Sequence, residues 1–360
     1  MFFVSFVVKH WKESERQMPN LKGKDYIETQ DLTDDELQLL LDTATELKEK
    51  FHRGEPTLLL PNQTAFLLFF DKSTRTRNAF EAGMTQLGGH AHFLDSDATQ
   101  ISHGETPEDT GRILAAMGHG ICIRHDLVLN EGNTYMRRLA EAANVPIINM
   151  QCDVDHPTQT LADLMTIREK FGANLRGLKI AVSWAFAPSY AKPLSVPQGL
   201  ITLMTRFGMH VSLAHPPGYK LIDRTVEAAR SNAAKSGGRF EIVDNMDTAF
   251  QDADIVYPKS WGVYDLMLAR QQAKTKDEVA ENQRACLAIN AKYKNWICDV
   301  RRMKLAKKSA VYMHCLPADR GSEVTDAVID GPQSIVFQEA ENRLHTAKAI
   351  MASTMRERPF

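Results

Sequence analysis

Residues 73 to 77 read Ser-Thr-Arg-Thr-Arg, directly after the apolar run Ala65-Phe66-Leu67-Leu68-Phe69-Phe70 and directly before a helix-like stretch from Asn78 to Leu87. A strand running into a helix here makes an anion site. With Ser73 as the helix cap, the free N–H groups of the first turn converge on one place, where the positive end of the helix dipole favours negative charge. The hydroxyls of Ser73, Thr74 and Thr76 add short donors, and a guanidinium grips phosphate oxygens in a bidentate manner. Helical phase separates the two arginines. Phe80, Met84 and Leu87 share one face; Arg75 falls nearly opposite, as a ligand would, and Arg77 flanks the apolar stripe, where an ion pair serves the scaffold.

Further residues with chemistry stand at other strand ends. Arg124 follows Gly120-Ile121-Cys122-Ile123 and either converges with Arg75 on one dianion or pairs with a surface carboxylate. In His156-Pro157-Thr158-Gln159, proline suits the first helical position, which sets His156 at the cap and Gln159 one turn inside. A helix N-terminus disfavours imidazolium, so a neutral His156 can donate to a substrate carbonyl with Gln159 beside it as donor or acceptor. A turn histidine and a capping glutamine are the plain structural alternative. His314-Cys315-Leu316-Pro317 ends the run Ala310-Val311-Tyr312-Met313. Neighbours on a strand face opposite ways, so His314 is poorly placed to activate Cys315, and the segment reads as a buried inert thiol beside a useful backbone carbonyl. Glu339 to His345 opens the last helix with one more arginine, Arg343, which taken alone fits a solvated helix start with paired charges.

The elements that must hold these groups alternate. After a capped helix from Asp34 to Phe51, strand-like segments recur at Thr64 to Phe70, His90 to Leu94, His119 to Ile123 and Val145 to Met150. A second series runs through Leu178 to Trp184, Val211 to Ala214, Ile255 to Lys259, Ala310 to His314 and Ser334 to Phe337. Helix-like stretches separate them, which indicates an α/β protein with two doubly wound parallel-sheet units joined near the helix Thr158 to Phe171. A length of 360 residues agrees, since it exceeds one ordinary core. In open α/β sheets ligands sit beyond the carboxyl ends of the strands, where every motif above stands.

Composition excludes some functions. A formal charge of −2 rules against a protein built to coat nucleic acid, although a local cationic pocket fits. The five cysteines are scattered with no C-x-x-C pair, which points to a reducing, cytoplasmic setting and to neither a disulfide framework nor a zinc site. The apolar start from Met1 to Val8 is too short to span a bilayer and lacks a cleavage site; Met18 is an alternative natural start. No membrane partner is expected.

Taken in order, Ser73-Thr74-Arg75-Thr76-Arg77, His156-Pro157-Thr158-Gln159, His314-Cys315-Leu316-Pro317 and Glu341-Asn342-Arg343-Leu344-His345 resemble the signature of the aspartate/ornithine carbamoyltransferase family, over nearly the whole chain from about residue 25. The resemblance implies transfer of the carbamoyl group of carbamoyl phosphate to an amine, with release of phosphate and without metal or cofactor. It implies phosphate binding by Ser73, Thr74, Arg75 and Thr76, and carbonyl polarisation by Arg124, His156 and Gln159. Cys315, Leu316 and Arg343 complete that pocket. It implies a homotrimer with sites between subunits, into which a neighbour's loop Thr99 to Glu105 brings Gln100 or His103. The domains it implies are an N-terminal extension 1–24, a carbamoyl phosphate-binding unit 25–160 that includes the C-terminal helix 339–360, and an acceptor-binding unit 161–338.

The amine is read from Lys259, Ser260, Trp261 and Asp319. Ornithine enzymes of the family carry an aspartate where this chain has Val256, and a methionine in place of Trp261, which argues against plain ornithine. Lys259-Ser260-Trp261-Gly262, with the Pro-rich insertion Ala187 to Gly199, resembles the branch of N-acetylornithine and N-succinylornithine enzymes, in which that loop is threaded into a knot. Those enzymes place basic residues at the positions of Asp319 and Glu323. An acidic pair there favours an acceptor with a cationic or hydrogen-bond-donating group, while Lys259 still offers a carboxylate partner. Two rivals are a dinucleotide-binding dehydrogenase, which the lack of any G-x-G-x-x-G disfavours, and a paralogue that binds carbamoyl phosphate without turnover.

Overall fold

Parallel sheets need strands that are apolar on both faces, and the chain supplies them twice. The computed structural model describes residues 19–190 and 192–355, so the start from Met1 to Met18 lies outside the described residues. The first sheet contains β1 (Thr64–Phe69), β2 (His90–Asp95), β3 (Gly120–His125) and β4 (Ile147–Cys152), in the order β2-β1-β3-β4. The second contains β5 (Lys179–Trp184), β6 (His210–Ala214), β7 (Arg239–Val243), β8 (Ile255–Lys259) and β9 (Val311–Tyr312), in the order β7-β6-β5-β8-β9. All pairings are parallel. Each sheet reverses its direction of growth once, between β1 and β3 and again between β5 and β8. At such a reversal the connecting loops leave to opposite faces and open a crevice.

The helices that matter for the site are α1 (Asp34–His52), α2 (Arg75–Gln86), α3 (Pro107–Met117), α4 (Gly132–Ala142), α5 (Pro157–Phe171), α6 (Ser195–Arg206) and the C-terminal helix Val336–Met355. Thr33 caps α1 in a reciprocal box with Glu36, as the Thr-x-x-Glu spacing requires. The C-terminal helix returns to pack on α1, α2 and α5, which carries Arg343 back to the first sheet. One hydrophobic core, from Leu37 through Trp184 to Ile350, runs through both sheets. Trp296 joins it, edge-on to Trp184 at 5.9 Å.

Four local expectations change. The cap of α2 is Thr74, not Ser73; it is in helical conformation and makes no side-chain bond to the first turn, so those N–H groups stay open. The polar strand β7 is an addition, legible only as the alternation of an edge. The last strand is shorter than Ala310 to His314 because the His314 N–H donates to Glu339 Oε2 at 2.9 Å and leaves the ladder. Ser334 to Phe337 makes one bridge to Tyr312, and the last helix has already begun at Val336.

Candidate active site

The crevices of the two sheets face each other across a cleft of about 310 Å³. From the first sheet it is lined by Lys72, Ser73, Thr74, Arg75 and Thr76 between β1 and α2, by Arg124 on β3, and by Gln151 on β4. His156 and Gln159 come from the start of α5, and Arg343 from the C-terminal helix. Arg124 lies within β3 rather than beyond it, where a register shift between Ile123 and Arg124 breaks the pairing with β4. Such a bulge re-aims a side chain.

Three guanidinium groups dominate the electrostatics. The Nε atoms of Arg75, Arg124 and Arg343 are all buried and without a hydrogen-bond partner. Arg124 reaches Asp126 at 3.0 Å, and Arg343 donates to Thr76 Oγ1. Among the described residues neither Arg75 nor Arg343 has a carboxylate within ion-pair distance. Burial, then the charges of Arg124 and Arg75, push Arg343 down to about 10. Arg77 has a different fate: it pairs with Glu81 at 2.8 Å and stacks 3.7 Å over the Phe93 ring.

His156 caps α5 ahead of Pro157, 3 % exposed, with Nδ1 3.4 Å from Thr158 Oγ1. Burial, followed by the charges of Arg343, Arg124 and Arg75, holds it well below the ordinary histidine value, so it is a neutral imidazole. Gln159 is fully buried; its Nε2 donates to Asp163 Oδ1 at 2.7 Å and Glu339 Oε1 at 3.2 Å, and its Oε1 has no partner. Cys315 lines the cleft as a thiol that burial pushes up to about 11. Leu316 beside it has φ +53°, and the His314 ring is turned away, its Nδ1 accepting from the Leu316 N–H at 2.9 Å.

From the second sheet the cleft receives Lys259, Lys192, Pro193 and Val196. Ser260 and Trp261 do not line it. Ser260 Oγ donates to the Ala185 carbonyl at 2.6 Å, and the Trp261 indole N–H donates to the Tyr219 carbonyl at 2.8 Å inside the core. Asp319 stands at the rim with Oδ2 3.0 Å from Lys192 Nζ. Glu323 is wholly buried; it accepts from the Ser260 N–H at 2.7 Å and the Asp319 N–H at 2.6 Å, with Lys259 Nζ at 3.7 Å. It therefore builds the wall and does not face an acceptor. Gln100 is exposed on a short turn away from this cleft. Lys72, Gln151 and Lys192 were not read from the sequence. Lys72 directly precedes the Ser73 motif and Lys192 sits in the Pro-rich insertion after β5, so both carried the signal of a cation at a strand end. Gln151 carried none.

Among the described residues one group has metal-ligand geometry, His52, Glu341 and His345, with ligand atoms within 4.8 Å of one another. It lies outside the cleft, and the nearby charges of Lys48 and Lys348 oppose a cation there. No helix among the described residues is long and apolar enough to cross a membrane.

The family model for the carbamoyl-P binding domain of aspartate/ornithine carbamoyltransferase matches residues 24–169, and that for the Asp/Orn binding domain matches residues 193–354. The chain is 42% identical over 363 residues to the "Putative carbamoyltransferase YgeW" of Escherichia coli (strain K12), covering 94% of this chain and 92% of that one. It is 38% identical to the ornithine carbamoyltransferase of Anoxybacillus flavithermus, covering 93% and 98%. Among solved structures, the ornithine carbamoyltransferase from Pyrococcus furiosus matches with a TM-score of 0.79 at 36% identity, covering 94% of this chain and 98% of that one. A mutant N-acetyl-L-ornithine transcarbamylase complexed with carbamyl phosphate and N-succinyl-L-norvaline matches with a TM-score of 0.81 at 34% identity, covering 91% and 99%. Two sheets, their facing crevices and both family models agree: the chain is a carbamoyltransferase and belongs to the aspartate/ornithine carbamoyltransferase family.

Proposed function

We propose that the protein transfers the carbamoyl group of carbamoyl phosphate to the amino group of an amino acid or amino-acid derivative, releasing phosphate. One observation carries the donor assignment: three buried guanidinium Nε atoms, from three separate elements, have no partner in one cleft. Buried donors without partners are costly; Arg124 is paired with Asp126 through its other nitrogen, and a dianion at the open start of α2 would satisfy all three Nε groups. Ser73, Thr74 and Thr76 add donors around the phosphate. The carbamoyl end then extends toward α5, where neutral His156 and Arg124 polarise its carbonyl and Gln159 Oε1 accepts from its NH2 group.

A neutral amine attacks the carbamoyl carbon, and negative charge grows on the carbonyl oxygen and the leaving phosphate. Fixed donors meet both. The amine's proton leaves on the phosphate, so no protein nucleophile is needed; a thiol pushed to about 11 stays protonated at neutral pH. Cys315 and Leu316 serve as wall and main-chain contacts.

On the acceptor side, Lys259 and Lys192 favour a carboxylate. The charge of Asp319 is already met by Lys192, and Glu323 is consumed by Ser260, Asp319 and Lys259. The acidic pair read from the sequence thus supplies no free site for a cationic acceptor, and an amino acid or its N-acyl derivative fits better. In this reading residues 25–160 with the C-terminal helix bind the donor, and 161–338 bind the acceptor. A homotrimer in the cytoplasm completes it, with exposed Gln100 or His103 entering a neighbour's cleft; the five free, buried cysteines agree with a reducing compartment.

The test is phosphate release together with ureido-product detection, using carbamoyl phosphate against a panel of amino acids, diamines and N-acylated amino acids. Stoichiometric ureido product with a carboxylate-bearing amine is expected. Carbamoyl phosphate that raises the melting temperature while no amine is ever carbamoylated would replace the transferase with a binding paralogue.

A further inference from the structure

Gln159 is held by two acids at once. Asp163 on α5 and Glu339 on the C-terminal helix are both fully buried, and both accept from Gln159 Nε2, at 2.7 and 3.2 Å. Tyr257 on β8 donates its hydroxyl to Glu339 Oε1 at 3.0 Å and lies 3.4 Å from Asp163 Oδ2. The His314 N–H donates to Glu339 Oε2 at 2.9 Å. No lysine or arginine forms an ion pair with either acid among the described residues. The nearest charge, Arg343, acts on Asp163 from the cleft side, and Cys315 faces the same group as a neutral thiol. Two carboxylates in contact within an apolar wall cannot both ionise, so the pair retains a proton. Burial raises both acids, Asp163 to about 7 and Glu339 well above the ordinary value.

We propose that Asp163 and Glu339 are positioning residues: a proton-sharing carboxyl pair that fixes the polarity of the Gln159 amide, so that the cleft is offered its oxygen and selects a carbamoyl NH2 over an isosteric methyl. The geometry leaves one orientation. A pair with an ionised oxygen needs donors, which only the Nε2 side of the amide supplies, and turning the amide over would press Oε1 against that oxygen and present a donor to a cleft already lined by Arg75, Arg124 and Arg343. The buried, unpartnered Oε1 is then the acceptor for an N–H that comes with the ligand. A site built to hydrogen-bond one group rejects the analogue that lacks it.

The inference rests on the donor reading above, and acetyl phosphate separates the two, because it carries the same phosphate and carbonyl with a methyl in place of NH2. Equilibrium binding of both compounds is measured by calorimetry on the full chain, for wild type and for Glu339→Leu, Glu339→Ala and Asp163→Asn. Wild type is expected to prefer carbamoyl phosphate by about tenfold or more, the value of one good hydrogen bond. Glu339→Leu and Glu339→Ala should lose that preference while acetyl phosphate affinity changes less than about twofold. Asp163→Asn, whose Oδ1 still accepts from Gln159 Nε2 while its Nδ2 donates to Glu339 without needing a proton, should keep it. The proposal is overturned if the preference survives in Glu339→Leu, if both affinities fall together as in a merely structural lesion, or if Asp163→Asn loses selectivity. Should wild type bind neither compound, the donor reading itself fails.

Discussion

Arg75 and Arg77 stand two residues apart in the same turn, and their removal should have opposite consequences. Arg75 has a buried Nε without partner and, among the described residues, no carboxylate to pair with; burial is the largest influence lowering its pKa, and Arg124 adds to it. Arg75→Ala therefore removes an uncompensated cation, and the folded state should be as stable as before or slightly more so. It also deletes one charge-assisted contact to phosphate, about 1.5–3 kcal/mol, or roughly ten- to hundredfold in affinity for carbamoyl phosphate. Arg77→Ala loses an exposed ion pair to Glu81, about 0.3–0.5 kcal/mol, and a stack on Phe93, about 0.5–1 kcal/mol. It should lower stability by roughly 1 kcal/mol and leave donor affinity within about twofold. Urea unfolding and calorimetric titration with carbamoyl phosphate read the two quantities separately. If Arg75→Ala were the less stable variant and still bound the donor normally, the assignment of the unpartnered guanidinium groups to phosphate would fall.

Glu323→Ala should cost about 3–5 kcal/mol in urea unfolding, because it orphans two buried backbone N–H groups and leaves Lys259 without its partner. Burial alone would raise the Glu323 carboxyl, but the Lys259 charge and His314 outweigh it and hold the group well below 4.5. A depressed acid lends its full stability above its unfolded value and loses it as pH falls from there through the folded one, so acid titration of wild type should show this loss beginning near 4.5 and finishing only well below it, and Glu323→Gln should lack it. Lys192→Ala should raise the acceptor KM about tenfold or more while the carbamoyl phosphate KM stays within about twofold, since it removes a rim cation and no donor contact. Because His156 is already neutral, kcat/KM for carbamoyl phosphate should show no limb at the ordinary histidine value of about 6.5; a limb there that disappears in His156→Asn would show the imidazole to be charged in the free enzyme.

The half of the cleft from the first sheet was legible because it is made from the ends of regular elements. A run of apolar residues followed by hydroxyls and arginine announces strand, turn and helix start together, and helical phase alone distinguishes Arg75 from Arg77. The half from the second sheet is made from loops whose partners are remote in sequence. Asp319 and Glu323 looked alike as two acids after Pro317, yet one meets Lys192 from the Pro-rich insertion and the other closes on Ser260. Trp261 looked like a substrate contact because Lys259 beside it lines the cleft; β8 ends at Lys259, and the chain then turns inward to pack Trp261 against the Tyr219 carbonyl. The polar β7 was missed because only one face of an edge strand needs to be apolar.

This division bears on how acceptor choice can change. The three cleft arginines are fixed by α2, β3 and the C-terminal helix, while Lys192 is carried by the insertion that joins β5 to α6. The main chain of that insertion is held by Asn290 Nδ2, which donates to the carbonyls of Ala187 and Ser189 at 3.1 and 3.0 Å, and by Gly262, whose N–H donates to the Lys192 carbonyl at 3.0 Å. These anchors grip the backbone and leave the side chain to its pair with Asp319 at the rim. A substitution at Lys192 or Asp319 therefore alters the charge offered to the acceptor without disturbing phosphate binding or the Gln159 amide, whereas one at Ser260, Trp261 or Glu323 alters the wall itself and spreads into the core. Acceptor preference should thus move through the Lys192–Asp319 pair first, and exchanging the two charges, Lys192→Asp with Asp319→Lys, should retain donor affinity while returning less acceptor selectivity than either wild-type charge in its own place, because only the lysine on the insertion lines the cleft.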